Sequence, residues 1–502
     1  MTKKHGKKQT QKKAPAAKKT QILFAVFEAV PFIKTGGLGD VGGSLPPAVC
    51  KAGADMRVML PKLESIPPEY KSRMKRIAEF SVPLSWRQMY CGIEVLKEKG
   101  VTWYFVDNEY YFKRPLPYGY EDDAERIAFF SKAVLESLQH IPDFTPDIIH
   151  CNDWHTALTP VFLREHYMQL PLYQKIGTVF SVHNLKYQGI FPASVLGDVL
   201  GLADSKPASD QLAYGDAVNY MQGALYYSDR LTTVSPTYAE EICTPYFGEH
   251  MDGIFQQRRS ILSGILNGID TYSNSPGRDS FLFQKYNRST FREGKAANKQ
   301  ALQKKLGLAQ EPNTPLLVMI TRLTEQKGLD LVLGILDELL CENIQLAVLG
   351  VGESKYENAF RHYQYRMPNK VNACITFDPA LSSEFYGAAD MLLMPSKFEP
   401  CGLSQMIAMR YGTIPVVRET GGLKDSVIAY NQYEDAGDGF SFANYNAHEL
   451  LFTIKHALDI YFNHRGSWEG IIQRAMKKDF SWKASAQEYV RLYEGLIAQR
   501  AE

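Results

Sequence analysis

A chain of 502 residues is longer than one hydrophobic core of roughly 250–300 residues usually supports, so two or more domains are expected. Apolar residues make up 45% and charged residues 22%, the proportions of a globular protein. A net charge of +1 gives the chain as a whole no electrostatic case for nucleic acid or membrane.

Residues 1–20 carry eight lysines and no acid, and no large apolar side chain beyond Met1. This segment cannot bury a core, and it reads as a solvated, disordered tail. It has no apolar stretch of a secretory signal and no arginine or serine of a transit peptide. Strands are then expected at 22–27, 56–60, 101–106, 147–151, 177–182 and 230–234. Amphipathic helices are expected at 38–52, 124–139, 156–169 and 211–228. Short β-branched runs alternating with helices predict a mostly parallel sheet covered on both faces. Residues 244–292 break the rhythm with Asn267-Gly268-Ile269-Asp270 and Asn274-Ser275-Pro276-Gly277, as an interdomain connection and surface loop would. A second series follows, with strands at 315–320, 344–349, 371–377, 390–394 and 414–418 and helices at 328–341, 353–366, 381–389 and 404–411. Residues 482–500 read as a long terminal helix. Two α/β halves joined near 260 leave a cleft at the carboxyl ends of their strands, where such folds bind ligands.

No apolar run reaches the roughly 18 residues of a membrane-spanning helix. The seven cysteines are scattered, odd in number and without a Cys-x-x-Cys pair, which suits reduced thiols in a cytoplasm better than disulfides or a zinc site.

Polar groups gather at the expected strand ends. Lys34-Thr35-Gly36-Gly37-Leu38-Gly39-Asp40-Val41-Gly42-Gly43 stands between the first strand and first helix, where backbone amides and a helix dipole can face an anion. Gly37 to Gly42 is literally G-x-G-x-x-G. A dinucleotide site needs an acid at the end of the next strand, and the first one, Glu64, lies beyond Pro61. A purely structural tight turn is the plain alternative. Thr420-Gly421-Gly422-Leu423 repeats the feature late in the chain. Asn152-Asp153-Trp154-His155 follows the fourth strand, where Asp153 could serve a ligand or cap a helix starting near Thr156. His183 ends the fifth strand. Arg322 and Lys327 flank a turn before a helix, either as surface charges or as a diphosphate site. Glu399-Pro400-Cys401-Gly402-Leu403-Ser404 opens another helix. Cys401 has no histidine beside it in sequence, which argues against covalent catalysis there.

Taken in order, Lys34 to Val41, Asp153-Trp154-His155, His183-Asn184-Leu185, Asn267 to Asp270, Arg322 to Gly328 and Glu399 to Leu403 closely resemble the bacterial and plant glycogen/starch synthase family. The resemblance spans about residues 21–497. It implies a GT-B architecture: two facing Rossmann-like domains with mostly parallel sheets and a deep interdomain cleft. The N-terminal, acceptor-side domain would span 21–260, the nucleotide-sugar domain 261–476, and a C-terminal helix, 477–502, would pack back on the first domain. The implied reaction moves glucose from ADP-glucose to the non-reducing end of an α-1,4-glucan with retention, with no cofactor and no metal. By the same resemblance Glu399, Arg322, Lys327, Asp153 and His183 are catalytic. Lys34, Gly36, Gly37, Phe377, Cys401, Gly402, Leu403, Ser404, Gly421 and Gly422 line the donor site, with the Gly36–Gly37 and Gly421–Gly422 amides facing the cleft. Two carboxylates also invite a glycosidase scheme, but a glycosidase needs no diphosphate cations. The expected partners are ADP-glucose and a glycogen or α-1,4-glucan primer, not nucleic acid or membrane. The alternatives are a UDP-glucose-using or other retaining glycosyltransferase, and a noncatalytic glucan-binding protein. The chain departs from the family at Phe377, where a tyrosine is usual, at Cys151-Asn152 before Asp153, and at Thr271 to Asn274.

Overall fold

The computed structural model describes residues 19–501, so the expected lysine-rich tail lies almost wholly outside the described residues. The first half is built on strands β1 (Gln21–Ala25), β2 (Asp55–Pro61), β3 (Lys75–Leu84), β4 (Arg87–Glu98), β5 (Val101–Asp107), β6 (Ile148–Asn152) and β7 (Gly177–Val182). A small antiparallel unit of β8 (Ile190–Pro192), β9 (Ala213–Tyr214) and β10 (Ala217–Asn219) follows, then β11 (Arg230–Thr233) and β12 (Leu262–Gly264). The large sheet has the order β12-β11-β7-β6-β1-β2-β5-β4-β3. It is parallel except where β4 pairs antiparallel with β3 and β5. β1, β6 and β7 are buried from end to end or nearly so, as strands covered on both faces must be.

The second half holds β13 (Leu316–Ile320), β14 (Gln345–Leu349), β15 (Val371–Cys374), β16 (Met391–Met394), β17 (Ile414–Arg418) and β18 (Phe440–Phe442). Their order is β15-β14-β13-β16-β17-β18, all parallel. The strand order reverses at β13 and β16, and the segments leaving those two strands carry Arg322, Lys327 and Glu399.

Three expectations change. The helix expected over 211–228 is a hairpin, β9–β10, followed by a helix at Tyr220–Tyr227. Gly215, at φ +57°, turns the chain, and the Asn219 side chain caps the helix by accepting from Gln222 N. The strand expected over 371–377 stops at Cys374, leaving Phe377 outside the sheet. The β3–β4 hairpin was not foreseen. Its turn places Ser85, not glycine or asparagine, at φ +53°, so the sequence carries no turn signal there.

The halves are joined by two crossings that lie side by side. Ile269 N donates to Phe480 O at 2.8 Å, and Ile269 bridges to Ser481. After the second crossing, the helix Trp482–Ala501 returns to the first half. Tyr493 reaches His150 on β6 at 2.7 Å, and His150 bonds Ser181 on β7 at 2.6 Å. A Cβ on Gly177 would come 3.0 Å from Leu496, which shows how closely the helix lies on β7.

Candidate active site

Between β1 and the helix Gly37–Lys51 the chain makes a detour rather than a tight turn. Glu28, 2% exposed, ties that detour together. Its carboxylate accepts from Thr35 N, from Thr35 Oγ1 at 2.7 Å and from Tyr118 OH at 2.9 Å. Burial and the Glu28 charge hold the Tyr118 phenol protonated, and nearby Arg322, from the other half, opposes them. The glycines of the G-x-G-x-x-G stretch divide into two sets. Cβ atoms on Gly42 and Gly43 would fall 2.3 Å from the carbonyl oxygens of Glu28 and Val30, so these glycines let the helix lie against its own lead-in. Gly36 and Gly37 are exposed, with nothing within 4 Å of a built Cβ. Lys34 pairs with Asp40 at 2.8 Å. Burial pushes the Tyr386 phenol of the second half up to about 12, Ser404 lowers it, and the Asp40 charge of the first half adds to the rise.

Asp153 does not cap a helix with its side chain. It turns back instead, its Oδ1 accepting from His183 N at 2.7 Å and Asn184 N at 3.5 Å. It is 8% exposed, and burial pushes its carboxyl up to about 7 against those two bonds. The His183 ring meets Asn152 Oδ1 at 2.9 Å, and burial pulls it down to about 4, so it is neutral at pH 7. Beside them His155 stacks on Phe27 with centroids 5.2 Å apart and touches Trp154 and Tyr118. Neither His155 ring nitrogen has a hydrogen-bond partner among the described residues. Burial pulls this imidazole down to about 3, so it is neutral at pH 7.

On the other half, Lys327 Nζ lies 2.6 Å from Glu399 Oε2, and Ser396 Oγ donates to the same oxygen at 2.9 Å. Arg322 is exposed and makes no ion pair among the described residues. Gln405 Nε2 staples the turn that follows Glu399, donating to Cys401 O at 3.1 Å, Gly402 O at 2.9 Å and Ser426 Oγ at 2.9 Å. Leu403 packs, partly buried, on the core behind it. Cys401 is 5% exposed, and burial pushes its thiol up to about 12, which closes nucleophilic chemistry there. Phe377 presents its ring to solvent, 79% exposed.

The Gly421–Gly422 turn corrects one expectation. Its amides are committed within the protein: Gly421 N donates to both Glu241 oxygens at 3.1 Å, and Gly422 N donates to the carbonyls of Glu399 and Pro400 at 3.1 Å. A Cβ on Gly421 would sit 2.1 Å from Glu399 O, and one on Gly422 would sit 2.1 Å from Cys401 O. These glycines brace the Glu399 segment and offer no free donor to a phosphate.

A pocket of ≈ 280 Å³ opens between the halves, lined by Lys186, Tyr238 and Glu249 on one side and Gln326, Lys397 and Phe398 on the other. Gln326 and Phe398 adjoin Lys327 and Glu399 in the chain. Among the described residues no group of three or more His, Cys, Asp or Glu side chains could hold a metal ion, and no helix is long and apolar enough to cross a membrane. Sequence reasoning missed Glu28, Tyr118, Ser396 and Gln405 and gave His155 no role. Glu28 alone left a trace, as an acid one residue beyond the first expected strand. Tyr118 lies in a loop without periodicity, and its partner Glu28 is 90 residues away.

Two Rossmann-like sheets facing across a cleft, with a cation pair and a carboxylate at the second half's strand ends, define a GT-B glycosyltransferase. Residues 21–257 match the starch synthase catalytic domain and residues 298–469 match glycosyl transferases group 1. The chain is 50% identical over 476 residues to a glycogen synthase of Clostridium novyi, covering 95% of this chain and 99% of the relative. It is 51% identical over 477 residues to that of Geobacillus thermodenitrificans, covering 95% and 98%. Among solved structures, the catalytic domain of starch synthase IV from Arabidopsis thaliana, bound to ADP and acarbose, superposes with a TM-score of 0.86 at 32% identity, covering 96% of this chain and all of that one. A sucrose-phosphate synthase from Thermosynechococcus elongatus shares the fold, with a TM-score of 0.60 at 16% identity over 96% of this chain and all of that one. The chain belongs to the glycogen/starch synthase family and is a glucosyltransferase acting on glucan.

Proposed function

We propose that the enzyme transfers glucose from ADP-glucose to the non-reducing end of an α-1,4-glucan with retention of configuration. The observation that carries this reading is the Lys327–Glu399 pair at the strand ends of the second half, with Arg322 leaving the same strand as Lys327 and its charge acting on Tyr118 of the first half. As the glycosidic bond breaks, negative charge grows on the departing diphosphate. Two cations already in place stabilise that charge, so the step needs no metal ion. Glu399, fixed by Lys327 and Ser396, accepts from the glucose hydroxyls, and the turn Cys401–Ser404 wraps them. The exposed Phe377 ring offers a face for the adenine, which stacking recognises with or without a tyrosine hydroxyl. Lys34, Gly36 and Gly37 close over the phosphates from the opposite wall. The Asp153–His183 unit fixes the backbone that faces the sugar, and Glu28, Tyr118, Trp154 and His155 receive the acceptor. The co-crystallised ADP and acarbose of the Arabidopsis relative support both a nucleotide and a glucan-like ligand in such a cleft. The seven free cysteines fit a reducing cytoplasm.

The test is incorporation of labelled glucose into a glycogen primer from ADP-glucose and, in parallel, from UDP-glucose. The reading expects higher kcat/KM with ADP-glucose. No incorporation from either donor overturns the function, and a preference for UDP-glucose overturns the donor assignment.

A further inference from the structure

The Glu399 segment is held partly by the other domain. The helix Pro236–Glu241 of the N-terminal half and the helix Gly421–Ser426 of the C-terminal half lie against each other. Each lends a carboxylate from its end to the start of the other. Glu241 accepts from Thr420 Oγ1 at 2.9 Å and from Gly421 N at 3.1 Å through both oxygens. Asp425 accepts from Thr237 N at 2.9 Å and Thr237 Oγ1 at 2.6 Å. Charged acceptors on helix-start amides are among the stronger hydrogen bonds. Ser235 Oγ adds a third tie, donating to Pro400 O at 2.7 Å. The turn so held touches Glu399 directly: Gly422 N donates to Glu399 O and Pro400 O, and Gly421 has no room for a side chain against Glu399 O.

We propose that Glu241 is a positioning residue for glucosyl transfer. From the N-terminal domain it fixes the Thr420–Gly422 turn and, through that turn, the backbone that aims the Glu399 carboxylate. The proposal rests on the reading of Glu399 as the donor-site carboxylate. Glu241 meets no reacting atom, and its effect passes through two backbone contacts. Because its bonds cross the domain boundary, the Glu399 geometry depends on how the two halves are seated.

The test uses full-length wild-type protein, E241A, E241Q and E240A. Glu240 sits beside Glu241 on the same helix, but among the described residues its carboxylate bonds only the exposed Arg259. Kinetics with ADP-glucose and glycogen are read beside amide hydrogen exchange of the segment 396–404. E241A is expected to lower kcat about ten-fold while the glycogen KM stays within about two-fold, and to speed exchange in that segment. E241Q keeps one carbonyl oxygen for Gly421 N–H and is expected to lose only about three-fold in kcat. E240A should match wild type in both readouts. Wild-type kcat and wild-type exchange in E241A overturn the proposal, as does a fall in kcat with unchanged exchange. If E241A does not fold, E241Q decides by the same pair of outcomes. Should the wild type transfer no glucose, the functional reading fails, and the exchange data alone still decide whether Glu241 holds the segment.

Discussion

Replacing Lys327 with alanine separates holding Glu399 from stabilising the reaction. The pair is 2.6 Å apart, with side chains 15% and 9% exposed, so it is a mostly buried ion pair. Removing one partner of such a pair leaves a carboxylate with poor solvation, at a cost of about 3–5 kcal/mol. Ser396 Oγ still donates to Glu399, which places the expected value at the lower end. At about 2–4 °C per kcal/mol for domains of this size, K327A should lower the melting temperature of its domain by ~6–12 °C. Loss of a preorganised cation should reduce kcat by about 10²–10³. The double variant K327A/E399Q removes the stranded charge. Thermal denaturation should return to within about 1 kcal/mol of wild type, while glucose incorporation should stay at the level of the single variant or below. If K327A melts like wild type, the pair does not hold Glu399. If the double variant recovers turnover, Lys327 acts only by restraining Glu399 and not on the diphosphate.

Asp153 should leave a pH signature. Its carboxyl is raised by burial to about 7 in the folded protein from 3.8, so the native state keeps its proton where the unfolded chain loses it. Its contribution to stability is full below pH 4 and is lost as pH rises through 7, a swing of up to about 4 kcal/mol. Urea midpoints of D153N, compared with wild type from pH 4 to pH 8, should remove that slope, and parallel curves would contradict the assignment. Y493F leaves the buried His150 Nδ1 without its 2.7 Å partner. It should cost about 1–3 kcal/mol in chemical denaturation, and an unchanged midpoint would show that the hydroxyl contributes nothing.

What the sequence revealed and what it hid follow from the range of each interaction. The parallel strands are continuous apolar runs such as Ile22 to Phe27, and their ends carry Asp153, His183, Arg322 and Lys327, so fold class and half of the site were open to inspection. The β3–β4 hairpin was not, because its turn uses Ser85 and its outer strand is half exposed with an irregular pattern. The grouping of Glu28, Tyr118 and His155 depends on contacts between positions far apart in the chain, 90 residues for Glu28 and Tyr118 and 37 for Tyr118 and His155, and has no local trace. The role of the second glycine pair was misread for a related reason. Thr420-Gly421-Gly422 has the composition of an anion loop, yet the anion it meets is Glu241, 180 residues earlier in the chain.

The returning helix Trp482–Ala501 bears on how the protein is made. His150 and Gly177 belong to the first domain, but the side chains that cover them, Tyr493 and Leu496, are made only after the second domain. During synthesis the first sheet must wait, with that face unsheathed, while more than two hundred further residues emerge and the second domain assembles. Only then does the C-terminal segment seal it. A nonsense change between the second domain and Tyr493 would therefore injure the domain encoded first.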